Sequence, residues 1–229
     1  MFLLITNENR AEYVDVLDQM HKLRHEVFVE DLKWEHLTSR DGREYDQYDV
    51  PEARYIVMLE NDQVVASVRL NKFDAPTLLT DVFSKIVEFE TLPHGAERVD
   101  LTRFVVSPHI GDPTRMERCG AEIICAILEY GVAEGLRDYT AVISPHFLAT
   151  VLQWGVEAYA MGFPVGEGRA AHIAVRVPVH QGQVSALYHY TKNYTPRLAE
   201  PPFTRWHRET FGAQSPLIAR AGQVSNAAD

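Results

Sequence analysis

Arg24, Phe28 and Trp34 fall on and just beyond the first helical stretch of the 229-residue chain. Asp46 and Asp49 follow in a long charged stretch, Arg69 ends a strand, and Asp100 and Arg103 stand three apart on a later strand. These types suit the handling of a charged small molecule. Carboxylates hold cations or take a proton, guanidinium groups pair bidentately with carboxylates, and aromatic rings stack on flat bases and attract positive charge. Each residue also has a plainer reading. An arginine beside aromatic residues covers apolar surface with its stem, a loop aspartate caps a turn, and a strand arginine pairs with a nearby carboxylate. Arg24 reads as a residue on the solvent side of its helix, whose replacement by alanine leaves the fold intact. A regular strand places Asp100 and Arg103 on opposite faces. His21 and His25 share a helix face, but Lys22 stands where a zinc-protease helix has glutamate and no third ligand is in sight, so no metal site is predicted. The chain contains no GxGxxG, Walker, HExxH or GxSxG motif.

The elements that must position these groups follow from periodicity and turn chemistry. A strand is predicted over 2–6 and a helix over 11–29, with Val14, Leu17, Met20, Leu23, Val27 and Phe28 on one stripe. Residues 30–51 have no regular pattern; a loop of that length exceeds what packing needs and is often functional. Strands over 54–59 and 64–70 flank Asn61-Asp62, a hairpin signal. A short helix over 79–87 and a strand over 98–106 follow. Asp112-Pro113 opens a long helix over 114–134, which Gly135 closes. The remainder reads as a strand over 139–143, a helix over 146–154, strands over 158–163 and 171–177, and a helix over 184–192. Strands alternating with helical crossovers indicate an α/β (α+β) domain, a three-layer α/β/α sandwich around a mixed sheet, over residues 1–211. Residues 212–229, rich in Ala, Gly, Ser and Gln, read as a loose tail.

Composition bounds the function. Hydrophobic residues make up 46% and charged residues 24%, which fits a folded chain with a continuous core. The net charge is −10, which disfavours nucleic acid and anionic membrane at long range. No apolar run is long enough for a membrane span, and Asn7, Glu8 and Asn9 interrupt any leader-like stretch, so a cytoplasmic location is expected. Cys119 and Cys125 lie six apart in an apolar helical pattern and read as buried reduced thiols.

In register, Arg24, Phe28, Trp34, Asp46-Gln47-Tyr48-Asp49, Arg69, Phe83 and Thr102-Arg103-Phe104 resemble the acyl-homoserine-lactone synthases, the autoinducer synthases of quorum sensing. The match covers roughly residues 20–107. The resemblance implies a GNAT-like acyltransferase fold and a reaction between S-adenosylmethionine and an acyl thioester carried by acyl carrier protein or coenzyme A. The α-amine attacks the thioester to form an amide. The methionyl carboxylate then closes the lactone and expels 5′-methylthioadenosine. The resemblance further implies that Arg24, Phe28, Trp34, Asp46, Asp49, Arg69 and Phe104 bind S-adenosylmethionine, a co-substrate rather than a tightly bound cofactor. The family usually has glutamate three residues before the arginine of the Thr-Arg pair, and this chain has Asp100. The catalytic group is therefore expected among Asp100, Glu97 and Arg103, with oxyanion donors along a splayed or bulged strand near 104–106. Phe83, Val142, Ser144 and Phe147 are expected against the acyl group, in a tunnel shared with the 116–130 helix, Leu148, Leu152 and Trp154. For Ser144, a turn serine before Pro145 is an equally good reading.

Either anionic carrier needs a basic patch, for which Lys22, Arg137, Arg169, Arg205 and Arg208 are candidates. Two alternatives stay open. One is a GNAT-type N-acetyltransferase using acetyl coenzyme A, although 107–120 lacks the pyrophosphate-cradling loop of that class. The other is a non-catalytic small-molecule binding domain on the same scaffold. Phe203 and Trp206 near the C-terminus read either as a sticky patch or as core closure.

Overall fold

The computed structural model describes residues 1–34, 37 and 41–198. The expected 212–229 tail, and with it Phe203, Arg205, Trp206 and Arg208, lies outside the described residues. A seven-stranded sheet runs in the order β1-β2-β3-β4-β5-β7-β6. Its strands are β1 (Phe2–Ile5), β2 (Arg54–Glu60), β3 (Gln63–Phe73), β4 (Gly95–Val106), β5 (Asp138–Ile143), β6 (Tyr159–Ala160) and β7 (Ile173–Pro178). Only β4 and β5 pair in parallel, so the sheet is mixed. On one face lie α1 (Val14–Arg24) and the short α2 (Leu78–Asp81). On the other lie α3 (Pro113–Ala133), α4 (Pro145–Gln153) and α5 (Gln181–Thr191). This is the expected three-layer arrangement.

Local chemistry sets several boundaries as predicted. Asn61 and Asp62 both take positive φ, 48° and 61°, as the two-residue turn between β2 and β3 requires. The Asp112 side chain accepts from the Thr114 N–H at 3.0 Å and Pro113 opens α3. Gly135, at φ 65°, ends α3; Leu136 N–H returns to the Gly131 carbonyl at 2.8 Å and Gly135 N–H to Val132, a Schellman closure. Cys119 and Cys125 are buried free thiols.

Three elements differ from expectation. The first helix is not one α-helix over 11–29: residues Arg10–Glu12 form a 3₁₀ turn, and after Arg24 the coil widens into a π-helix, His25–Asp31. There Leu32 N–H reaches the Val27 carbonyl, five residues back, at 2.9 Å. Widened turns of this kind are frequent at functional sites. The helix expected over 79–87 breaks after Asp81 and resumes as a 3₁₀ turn, Ser84–Ile86. The strand expected over 158–163 shrinks to Tyr159–Ala160, because the Met161 carbonyl is taken by Glu88 and Phe89 N–H at 2.8 and 2.9 Å instead of by a strand.

That last contact brings two backbones unusually close. A Cβ on Gly162 would lie 2.1 Å from the Ile86 carbonyl oxygen. Gly162→Ala is therefore expected to lower stability by about 1–3 kcal/mol, the usual range for overpacking, read as a lower urea midpoint.

Candidate functional site

Arg24 is fully buried at the end of α1, not on its solvent side as the sequence suggested. A buried guanidinium needs partners, and the loop after the π-helix supplies them. Arg24 Nε donates to Glu44 Oε2 at 2.6 Å, and its two terminal nitrogens grip Asp49 at 2.8 and 2.9 Å. Arg69, fully buried on β3, grips Asp46 with both terminal nitrogens at 2.5 and 2.9 Å and lies 3.0 Å from Asp49. Arg103 on β4 pairs with Glu44 at 2.9 Å and with Asp46 at 2.7 Å. The result is a closed ring of alternating charge: Arg24, Glu44, Arg103, Asp46, Arg69, Asp49, and back to Arg24.

The loop is shaped to deliver its three carboxylates. Asp49 accepts from Asp46 N–H at 2.9 Å, and Asp46 from Tyr48 N–H at 2.8 Å, turning the chain so that both carboxylates face the sheet. Glu44 is pinned to α1 at its backbone, its N–H donating to the His21 carbonyl at 3.0 Å and its carbonyl accepting from His21 Nδ1 at 2.8 Å. Burial and then the Arg24 charge push the His21 imidazole down to about 4, so it is neutral at pH 7. Burial alone would raise the Asp49 carboxyl. The hydrogen bonds and charge of Arg24, with the charge of Arg69, override that and hold it well below the usual carboxylate range.

A β-bulge brings Arg103 into the ring. Arg69 pairs with Thr102 and Ser67 with Val105, so Val68 opposes two residues, Arg103 and Phe104. Arg103 absorbs the extra residue at φ 53°. Thr102 and Arg103 then share a face: Arg69 Nε donates to Thr102 Oγ1 at 2.9 Å, next to its bonds to Asp46. The expectation that Asp100 and Arg103 lie on opposite faces is thereby corrected, since it assumed a regular strand. Phe104 is turned the other way, into the α3-side core against Phe147, with ring centroids 5.2 Å apart.

Phe28 and Trp34 stack nearly parallel, 5.2 Å apart, and the Arg103 guanidinium lies 5.7 Å over Phe28. Trp34 keeps 41% of its surface exposed. Asp100, two residues before Thr102, is 1% exposed and accepts from Leu79 N–H at 3.0 Å and Thr140 Oγ1 at 2.9 Å. Burial raises its carboxyl to about 6 in spite of those bonds. Glu97 is exposed at the start of β4, three residues or roughly 10 Å along the strand.

β4 and β5 part company beside this site. Their pairing ends at Leu101 and Ala141, although β4 runs on to Val106 and β5 to Ile143. Ser107 N–H bonds to Val65 on β3, so strand alternation turns the peptide groups of Phe104 and Val106 toward the opened side. On the α3 side the opening meets a cleft of about 360 Å³ whose lining includes Phe104, Val106, Met116, Gly120, Phe147 and Trp154. The residues expected against the acyl group divide between two faces. Phe83 and Val142 pack on the Asp100 side with Leu79 and Met161, and Phe147 packs on the α3 side. Ser144 caps α4, its hydroxyl accepting from Phe147 N–H at 3.1 Å, as a turn serine does.

Sequence reasoning missed Glu44, Tyr55, whose hydroxyl donates to Asp49 at 2.9 Å, and Thr102 as a partner of Arg69. Glu44 carried only a partial signal: Arg69 and Arg103 stand in apolar strand sequence and need carboxylates when buried, but Arg24, among His21, Lys22, His25 and Glu26, gave no sign that it would need a third. Of the candidates for a basic patch, Arg205 and Arg208 lie outside the described residues, and Lys22 and Arg137 each sit beside a carboxylate. Lys22 pairs with Asp18 at 2.7 Å, and Arg137 lies 3.6 Å from Asp138 at the start of β5. Among the described residues no cluster of three metal-ligating side chains occurs, and no helix is long and apolar enough to cross a membrane.

Residues 7–187 match the family model described as autoinducer synthase. An isovaleryl-homoserine lactone synthase of Bradyrhizobium diazoefficiens is 28% identical over 191 residues, 82% of this chain and 84% of that protein. An acyl-homoserine-lactone synthase of Agrobacterium fabrum is 27% identical over 180 residues, 77% of this chain and 85% of that one. The solved structure of BjaI, a coenzyme A-dependent acyl-homoserine lactone synthase with S-adenosylmethionine and isopentyl coenzyme A, superposes with a TM-score of 0.80 at 25% identity, covering 90% of this chain and 97% of that one. Escherichia coli ElaA, at 18% identity and a TM-score of 0.54, shares the fold alone.

Removing one member of the ring leaves a buried charge unpaired. Arg24→Ala is expected to cost about 3–5 kcal/mol, measured by urea unfolding, and so to disturb the fold as well as the site.

Proposed function

The chain belongs to the autoinducer synthase family and is an acyl-homoserine-lactone synthase, and on that footing we propose which of its residues perform the reaction and which donor it takes. The observation that carries the assignment is the charge ring set between the Phe28–Trp34 stack and the point where β4 and β5 separate. S-adenosylmethionine brings a sulfonium, an ammonium, a carboxylate and an adenine. The exposed face of Trp34 suits adenine, and the Phe28–Trp34 pair suits the sulfonium by cation–π attraction, about 0.5–2 kcal/mol. Arg103 is the guanidinium nearest those rings and holds the methionyl carboxylate. Asp46 and Asp49 already accept from Arg24, Arg69 and Arg103, so they act by fixing the arginines and not by gripping the substrate themselves.

The attacking amine must lose a proton. Asp100 is the base of choice, because its carboxyl is raised to about 6 and it lies on the face of Thr102 and Arg103, whereas Glu97 is exposed and roughly 10 Å away along the strand. With both Asp100 oxygens already accepting, the proton arrives through a water relay. The Phe104 and Val106 N–H groups stabilise the oxyanion that forms at the thioester carbon; its collapse breaks the thioester C–S bond, leaves the amide, and expels the carrier as a thiol that takes up the proton removed from the amine. The carboxylate then attacks the γ-carbon, the C–S bond to sulfonium breaks, and methylthioadenosine leaves as a neutral thioether. We propose coenzyme A as the carrier, supported by the coenzyme A-dependent neighbour and the isovaleryl-homoserine lactone synthase relative, and a cytoplasmic site of action, where both substrates are made.

Incubation with S-adenosylmethionine and a panel of coenzyme A and acyl-carrier-protein thioesters should yield methylthioadenosine and acyl-homoserine lactone in equal amounts by mass spectrometry, with coenzyme A donors preferred. Thiol release without methylthioadenosine would instead indicate a plain acetyltransferase.

The base makes a second prediction. The ionised carboxylate is the active form, so kcat/KM should rise with pH through about 6 and level off above it. Asp100→Asn should remove that limb and lower kcat by about 10²–10⁴-fold, with a smaller effect on S-adenosylmethionine binding.

A further inference from the structure

One polar atom beside the base has no partner. Asn71 on β3 is 7% exposed and stands directly opposite Asp100 on β4, and Asp100 in turn stands opposite Thr140 on β5, so the three side chains form a row across one face of the sheet. Antiparallel neighbours of this kind have Cβ atoms about 4.5–5.5 Å apart. The loop orients the Asn71 amide: its Nδ2 donates to the Tyr48 carbonyl at 3.0 Å, and only the amide's NH₂ group can meet a carbonyl. Oδ1 is thereby fixed on the other side of the amide. It is buried and meets no donor among the described residues. A buried amide oxygen without a donor is costly, and native structures rarely keep one without a use.

We propose that Asn71 is a positioning residue for the transferred proton: once Asp100 has taken the amine's proton through the water relay, its new O–H donates to Asn71 Oδ1. The proposal rests on the reading of Asp100 as the base. Only N–H and O–H bonds change in this step. The amine nitrogen keeps the electron pair that attacks the thioester carbon, and the proton passes on to the departing thiol, which frees Oδ1 again.

The other groups around Asp100 favour its ionised form. From α2, Leu79 N–H donates to Oδ2, with Thr77 beside it; from β5, Thr140 Oγ1 donates to Oδ1; from β3, Arg69 adds positive charge. The Thr102 hydroxyl accepts from Arg69. Of the carboxylates, Asp46 is gripped by Arg69, and Asp81 accepts from the Tyr48 hydroxyl at 3.1 Å. Thr140 accepts a proton's hydrogen bond only by turning its own hydrogen away to some other acceptor. Asn71 Oδ1 accepts without any rearrangement. Being uncharged, it stabilises the protonated acid without repelling the carboxylate as a second anion would.

The test follows the acid limb of the kcat/KM profile together with a titration that needs no activity, carbon-13 NMR of labelled aspartate carboxyls, in which Asp100→Asn identifies the Asp100 signal by its loss. Asn71→Leu keeps the bulk and removes the acceptor. It is expected to move both limb and titration down by about one unit, the worth of one hydrogen bond, because the protonated form loses its partner. Asn71→Ala is expected to move them down less, and it carries this arm if the leucine variant does not fold. Asn71→Asp sets a second carboxylate opposite Asp100 and is expected to move both up by about one unit or more. Thr140→Val removes a donor to the carboxylate and is expected to move both up as well. If Asn71 serves only to hold the Tyr48 carbonyl, its removal lowers kcat and leaves the titration where it was, which would overturn the proposal. So would a downward shift in Thr140→Val, which would make the threonine the acceptor. Full activity in Asp100→Asn would sink the base reading itself, and the NMR shifts would then show separately whether the bond to Asn71 forms.

Discussion

Three guanidiniums and three carboxylates are buried together, and little else in this half of the molecule could stand without that closure. Each charge taken singly out of water costs several kcal/mol, and the cost is offset only when every partner is in place. Here the six groups come from four places in the chain: Arg24 from α1, Glu44, Asp46 and Asp49 from the loop, Arg69 from β3 and Arg103 from β4. The ring therefore does what a hydrophobic cluster does elsewhere, tying a helix and a long loop to the sheet. It does so with direction, because bidentate pairs tolerate little rotation. A loop that would otherwise be free to wander is fixed beside the Phe28–Trp34 stack.

The charges balance, three against three, and this bears on how a cationic substrate can be held. An acidic pocket would attract S-adenosylmethionine strongly, but it would also bind any ammonium compound and leave carboxylates unpaired between turnovers. A neutralised ring leaves selection to rings that favour a sulfonium and a flat base, and to the one guanidinium, Arg103, that lies over an aromatic face of the stack.

Much of the frame was legible. Asn61-Asp62, Asp112-Pro113 and Gly135 set boundaries because each dictates a local backbone geometry that needs no distant partner. The residues of the site could be named from their order, but not their arrangement. Arg24 looked exposed because a helical stripe says which positions are apolar and nothing about a loop folding over the polar side. The bulge at Arg103 has no glycine to announce it; the φ of 53° is imposed by partners on both sides of the strand. The early end of the strand at Ala160 is likewise settled by a tertiary contact, the segment 86–89 claiming the Met161 carbonyl.

The strained residue is where the two requirements meet. A non-glycine side chain in the left-handed region is costly, and such strain persists where surrounding structure over-determines it. At Arg103 the bulge sets two consecutive side chains, Thr102 and Arg103, on the face of the ring, which a regular strand cannot do. It also shifts by one residue which peptide groups of β4 face β5, so that Phe104 and Val106 present theirs where β5 has pulled away. An unstrained strand would supply either the third guanidinium or the open N–H groups in this register. Accepting the strain supplies both, and the ion pairs of Arg103 with Glu44 and Asp46 hold the backbone there.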